Sequence, residues 1–485
     1  MAESKLIWEE ITRRGENHAL LLIDTAMEGF MAFLGLDFNK PEFKPQNFRQ
    51  LAGARWFGSE NLADFCDFFR KKELANPGAL LEYANEYKRR IKQLKDFVLQ
   101  IKDLNWSEQE TEVLFINFSE YLACTRKMWA FAYNAIITNK FLPDLIFAEI
   151  AKKEPNINKQ NEDFNILLQL EDSSETRQEK FFLLNLAKFV EDNGYNQELE
   201  NLVSTHLCKF AYLGQYYFRG ELYNKDIILE RIKEVLNNGV ENELQKIKQL
   251  ENDLSKRELL INELDLPENI LKYIESARAQ ASAYSLVDEV FTFTVVNLKP
   301  LFNEIARRLG MSYKQLIEMR GVEILDSLNR GELILSLEKL NERVIESAII
   351  LEGNKVIVLS GKKLEEYKKQ ELKIEKYENI IELSGQGASP GVITGIVKLV
   401  LCDADAKKVN KGDILIAPAT NPTLVPAMER AGAIVTDEGG LLSHAAIVSR
   451  ELGIPCLVGT KIGTKVFKDG DIVEVDIING IIRKL

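Results

Sequence analysis

From Ile7 to about Asn341 apolar residues recur at three- and four-residue spacing and strict alternation is rare, which predicts a large all-α region. Ser107 and Glu110 stand in Ser-x-x-Glu order ahead of the run VLFINFSEYLACTRKMWAFAYNAI and predict a capping box for that helix. Over 241–263, Leu244, Ile247, Leu250 and Leu254 form a narrow apolar stripe between charges, as in a helix packed along one seam. A further helical block runs from about Pro267 to Leu328, with Gly310 ending one helix and Ser312 placed to cap the next. The pattern changes after residue 352. NKVIVLSG reads as a short strand, and KKLEEYKKQELKIEKYE as a charged helix with Glu365 and Lys369 one turn apart. Beyond Gly385 come short β-branched runs broken by Gly and Pro (IVKLVL, DILIA, AIVTD, PCLVG, DIVEVDI, GIIRKL), the pattern of a compact α/β domain. The chain thus divides into a helical region, 1–350, a hinge arm, 351–384, and a C-terminal β/α domain, 385–485.

A chain of 485 residues is long for one core, and 46% hydrophobic with 28% charged residues describes a multidomain globular protein. Lys and Arg number 62 against 74 Asp and Glu, and a net charge of −12 disfavours nucleic acid and anionic membrane as partners. The start, MAESKLIWEEITRRGE, lacks a signal-peptide pattern and no later apolar run is long enough to span a bilayer, so a cytoplasmic location is expected. Cys66, Cys124, Cys208, Cys402 and Cys456 are odd in number and widely spaced, as expected of reduced, buried thiols.

The chemistry concentrates in AIVTDEGGLLSHAAIVSRELGIPCLVG, residues 433–459. A strand ends at Asp437, Gly439 and Gly440 permit a tight turn, and a helix opens at Ser443, so His444 falls in its first turn. Ala445, Val448 and Leu452 share the face that would pack on the sheet, and Gly453 with Pro455 ends the helix. A helix amino terminus offers amides and the positive end of the helix dipole to a phosphate, and a neutral imidazole can attack phosphorus without a separate base. His444 is therefore a candidate phosphohistidine, with Gly439, Gly440, Ser443 and Thr420 supporting the phosphate.

These residues carry a family resemblance. Residues 385–485 resemble the mobile, swivelling phosphohistidine domain of phosphoenolpyruvate synthase, pyruvate phosphate dikinase and rifampicin phosphotransferase, with Gly385, Ser389, Pro390 and Gly391 matching its opening and His444 its phosphorylated histidine. Leu442 stands where the dikinases usually carry Thr, and Asn421 and Thr423 flank Pro422. Upstream, SARAQASAYSLVDEVFTFTVVNLKPLFNEIARRLGMSYKQL and the stretch from His206 to Leu213 are similar to helical parts of the same enzymes. The resemblance implies a phosphotransferase component in which His444 relays a phosphoryl group to a small organic acceptor. The sequence shows neither a Gly-x-x-x-x-Gly-Lys-Ser/Thr loop nor the family's ATP-grasp region. The expectation is that this chain alone binds no cofactor, and that Mg-ATP sits on a separately encoded, ATP-grasp-like subunit; phosphoenolpyruvate stays open as the donor.

Several residues keep two readings. Ser443 is a helix cap, a phosphate ligand or both, and Thr420 with Asn421 either starts a short helix at Pro422 or touches substrate. Arg450, expected on the exposed side of its helix, pairs with Glu451 or docks a partner. His206, with Phe210, Tyr212, Tyr216, Tyr217 and Phe218, lines an acceptor cavity or belongs to a core stripe. His18 carries no signal. A non-catalytic binding or regulatory module that retains the swivelling fold is the rival to the enzyme reading, as is a structural subunit with a passive lid.

Overall fold

The computed structural model describes residues 8–13, 19–32, 47–51, 54–138, 141–170, 174–352, 355–371, 377 and 380–485. The chain is mostly helical, with a sheet-containing C-terminal domain. It divides into two compact units, Met1–Lys140 with Thr294–Asn379 and Phe141–Phe293 with Ile380–Leu485. His18 lies outside the described residues.

The first unit corrects the all-helical reading of its segments. Long helices, including Ala79–Ile101 and Thr111–Thr138, stand beside a five-stranded antiparallel sheet in the order Trp8–Arg13, Ala54–Gly58, Asn47–Leu51, Ser347–Glu352, Lys355–Ser360. These strands hold five or six residues each, and their pairing joins the two ends of the unit. Ser107 does not build the expected capping box: residues Trp106–Glu108 form a separate 3-10 turn, and the Ser107 hydroxyl donates to Asn105 Oδ1 at 2.8 Å. The long helix starts after Glu110, whose carbonyl accepts from the Val113 amide. Gly310 does close its helix, at φ +68°, and Ser312 with Gln315 forms a capping box at Tyr313–Leu316. The charged helix is Gly361–Glu371, in which Glu365 pairs with Lys368 at 3.1 Å in place of Lys369, and Lys368 also reaches Glu346. The next arm residues, 372–376, lie outside the described residues.

In the second unit the helices Glu175–Asn193, Gln197–Phe210 and Lys225–Asn238 begin at Ser174, Asn196 and Asn224, whose side chains accept from the Arg177, Leu199 and Ile227 amides. Leu183, Ala187 and Val190 of the first, Leu199 and Val203 of the second, and Ile228, Ile232 and Val235 of the third meet in one apolar core. The stripe helix is Val240–Leu264, and Leu244 packs against this same core. The side chains of Ile247, Leu250 and Leu254 lie outside those described.

The C-terminal domain holds an eight-stranded sheet in the order Glu382–Ser384, Ile481–Lys484, Ile472–Asp476, Val392–Leu399, Ile414–Ala417, Ala433–Thr436, Cys456–Val458, Gln386–Ser389. From Val392–Leu399 to Cys456–Val458 the neighbours run parallel. Ile414–Ala417, Ala433–Thr436 and Cys456–Val458 are buried at every position, which is why their sequences are unbroken apolar runs. The outer pairs are antiparallel. Cys456 is buried in this core, whereas Cys208 is exposed, a correction to the expectation of buried thiols.

Candidate functional site

His444 opens the helix His444–Leu452, one loop beyond the strand Ala433–Thr436. Asp437 anchors the start of that loop: its carboxylate accepts from the Thr464 amide and hydroxyl and from Thr460 Oγ1, and burial raises its pKa against those bonds. Gly439 then takes φ +101°, where a Cβ would stand 2.7 Å from Ser443 Oγ, so the first glycine is the one the turn demands. The carbonyl of Gly440 accepts from the Ser443 amide at 2.9 Å. Ser443 is the N-cap, its hydroxyl accepting from the Ala446 amide at 3.4 Å. Ala445 and Val448 are buried and Gly453 ends the helix at φ +64°.

Thr420 is buried, and its Oγ1 lies 2.8 Å from His444 Nδ1. The helix-starting role falls to Asn421 instead: its Oδ1 accepts from the Thr423 amide and hydroxyl at 2.9 and 2.6 Å, opening the turn Pro422–Leu424, while its Nδ2 donates to Asp403. The strand–loop element after Ile414–Ala417 therefore fixes the ring through one nitrogen. A hydroxyl can donate or accept, so this bond suits either tautomer of the neutral imidazole.

Arg450 points inward, contrary to the exposed placement expected for it. Its guanidinium donates to the Leu441 carbonyl at 2.8 Å and the Ala388 carbonyl at 3.4 Å, tying the loop before His444 to the strand Gln386–Ser389. Burial lowers its pKa to about 10.

Beside His444 is a crevice lined by Ser174 and Thr176 of one helix start, Ser282 and Glu289 of the helix Glu268–Arg308, and Glu451 of the His444 helix. Its volume is about 30 Å³, room for a water molecule or two. Burial pushes Glu289 and Glu451 each up to about 7, opposed at Glu289 by the Glu175 and Thr176 amides and at Glu451 by Arg177 and Arg450. The sequence named Glu451 only as a partner for Arg450, whose charge does act on it, and gave Glu289 no role.

His206 is not at this site. It sits on the core-facing stripe Leu199, Val203, His206, Phe210, its Nε2 2.8 Å from Glu179 Oε1, and its ring lies 5.5 Å from Phe182 and 5.3 Å from Phe210. Arg231 holds both Glu179 oxygens, at 2.7 and 3.0 Å. Burial alone would raise the Glu179 pKa, but Arg231 and His206 outweigh it and bring it to about 2. The aromatic run packs into the core: Phe210, Tyr212, Tyr216 and Tyr217 are buried.

The C-terminal sheet domain, with a histidine at a helix start after a glycine turn, carries a mobile domain of the phosphoenolpyruvate-utilising enzymes: residues 409–480 match the family described as "PEP-utilising enzyme, mobile domain". A probable phosphoenolpyruvate synthase from Archaeoglobus fulgidus is 47% identical over 137 residues, 27% of this chain and 18% of that protein. The phosphoenolpyruvate synthase of Pyrococcus furiosus is 43% identical over 166 residues, 32% of this chain and 20% of its own. The chain thus spans about a fifth of the length of these curated relatives. Among the described residues, no helix is long and apolar enough to cross a membrane.

Proposed function

We propose that the chain is the carrier and acceptor-side component of a phosphotransferase, and that His444 is its phosphorylated residue. The observation that carries this is the 2.8 Å contact between Thr420 Oγ1 and His444 Nδ1 at a capped helix start. With Nδ1–H donated to Thr420, the lone pair of the neutral ring is on Nε2, which attacks the donor phosphorus. The N–P bond forms as the bond to the donor's leaving group breaks, and the positive charge that develops on the ring is shared by Nδ1–H with the Thr420 oxygen. The helix start adds its dipole to the stabilisation of the phosphoryl group, with Gly439 and Gly440 shaping the turn and Ser443 capping the Ala446 amide.

The crevice beside His444 has no room for a nucleotide, so a nucleotide donor meets the ring at another surface. We place Mg-ATP on a separately encoded ATP-binding subunit and the small-molecule acceptor on the helical side of this chain. Among the described residues no three His, Cys, Asp or Glu side chains gather to hold a metal ion. Incubation with the donor system should give one acid-labile, base-stable phosphoryl group per chain, seen by phosphorus NMR and lost in His444→Ala. Label retained at the parent rate in His444→Ala refutes the proposal, and micromolar binding of Mg-ATP to the purified chain refutes the separate donor subunit.

A further inference from the structure

Glu289 is 3% exposed and lines the same crevice as His444. Its Oε2 accepts from the Glu175 amide at 2.9 Å, and its Oε1 accepts from the Thr176 amide at 3.1 Å and hydroxyl at 3.2 Å. Two amides at the start of the Glu175–Asn193 helix thereby fix the orientation of this carboxylate. A carboxylate offers about four lone-pair sites, so Oε2, with one of these bonds, has capacity for a further donor. The rest of the polar lining is hydroxyl-bearing, from Ser174, Thr176, Ser282 and Ser285, together with the second carboxylate, Glu451. An anionic acceptor would have to enter beside two carboxylates and an incoming phosphoryl group, whereas a neutral hydroxyl finds hydrogen-bonding partners throughout.

We infer that Glu289 takes the proton of a neutral, hydroxyl-bearing acceptor as that oxygen receives the phosphoryl group from His444. This rests on the phosphohistidine reading above and adds to it the acceptor class and the base. The acceptor O–H loses its proton to Glu289, the oxygen forms an O–P bond, and the Nε2–P bond breaks. Its electron pair returns to Nε2, leaving a neutral ring with Nδ1–H on Thr420. A crevice of about 30 Å³ admits a group of hydroxymethyl size, so the reacting hydroxyl is at the slender end of the acceptor. Burial, with a smaller push from the Glu175 charge, brings Glu289 to about 7, where a general base is most effective. Glu175 faces it from one helix and Glu451 and His444 from another, with Arg177 placed to act on Glu451.

The test loads the full chain with potassium phosphoramidate, in which Nε2 forms the N–P bond as ammonia leaves. Excess reagent is removed, and glycerol or, in parallel, pyruvate is added at equal concentration while phosphorus NMR follows the products. Glycerol phosphate should form at least about tenfold faster than any product from pyruvate, with a rate that rises as pH passes through about 7. Glu289→Gln, loaded to the same extent as the parent, should transfer on the order of a hundredfold more slowly, within the usual range for a lost general base, and Glu289→Asp should recover part of the rate. Transfer to pyruvate as fast as to glycerol, release as inorganic phosphate alone, or a Glu289→Gln rate within about twofold of the parent overturns the inference. A histidine that never loads overturns the phosphohistidine reading itself, and this inference with it.

Discussion

Replacing Thr420 by valine keeps the shape of a side chain that is 2% exposed and removes only the oxygen 2.8 Å from His444 Nδ1. In the resting, neutral ring such a bond contributes roughly 0.5–1.5 kcal/mol; once the ring gains positive charge it contributes about 1.5–3 kcal/mol. The part that matters for rate is what grows on the way to the transition state. That growth is about 1–1.5 kcal/mol, so at about 1.4 kcal/mol per decade Thr420→Val should slow loading of His444 by roughly five- to twelvefold. Thr420→Ser should restore much of it. Loading by phosphoramidate, followed by phosphorus NMR, gives the rate, and nitrogen-15 shifts of the His444 ring report the tautomer, which a purely structural role for Thr420 would leave unchanged. Parent-like loading together with an unchanged tautomer in Thr420→Val refutes the assignment of Nδ1 to Thr420 and with it the choice of Nε2 as nucleophile.

Gly439→Ala places a Cβ 2.7 Å from Ser443 Oγ at φ +101° and should cost on the order of 1–3 kcal/mol in urea denaturation, with slower loading of His444. Arg231→Ala strands Glu179, 4% exposed in its side chain, and should destabilise the fold by about 3–5 kcal/mol. Because Glu179 is held at about 2, below its unfolded value of about 4.3, its stabilisation is full above that value and is lost as pH falls towards 2; thermal melts of parent and Glu179→Gln should converge across that window. Glu451 has the opposite sign: its folded pKa of about 7 lies above the unfolded value, so its contribution weakens as pH rises from about 4.3 to 7, and Glu451→Gln should flatten that slope in melting temperature.

The C-terminal domain was legible because each signal was local. The runs DILIA, AIVTD and PCLVG are strands buried on both faces, and the residues that close the turn and cap the helix, Gly439 and Ser443, are neighbours of His444 in the chain. The sheet of the first unit gave such a signal at Lys355–Ser360, within NKVIVLSG, but not at its other strands. Its strands span five or six residues, and Asn47–Leu51 finds its partner at Ser347–Glu352, so neither period nor turn chemistry announces the pairing. Ser107 shows the limit of a short motif: the Ser-x-x-Glu spacing is present, but a 3-10 turn at Trp106 uses the serine before the helix begins.

At the site, what the sequence hides is tertiary. Thr420 lies 24 residues before His444, and its neighbour Asn421 takes the cap that the pattern left open to either of them. Glu289 is one of many acids on a long helix, and nothing in its neighbours foretells that it would meet the amides of residues 175 and 176, far away in the chain, beside His444. Arg450 looks like an exposed helix charge, yet it binds two carbonyls that no ion-pair rule predicts. These three share a cause: each meets a group brought to it by the fold, a ring nitrogen, a helix start or a loop carbonyl, and such groups are in place only after the strands and helices have been placed. A candidate nucleophile can therefore be read from its own helix start, but the groups proposed to set its tautomer and to receive the acceptor's proton must be sought among the elements packed against it.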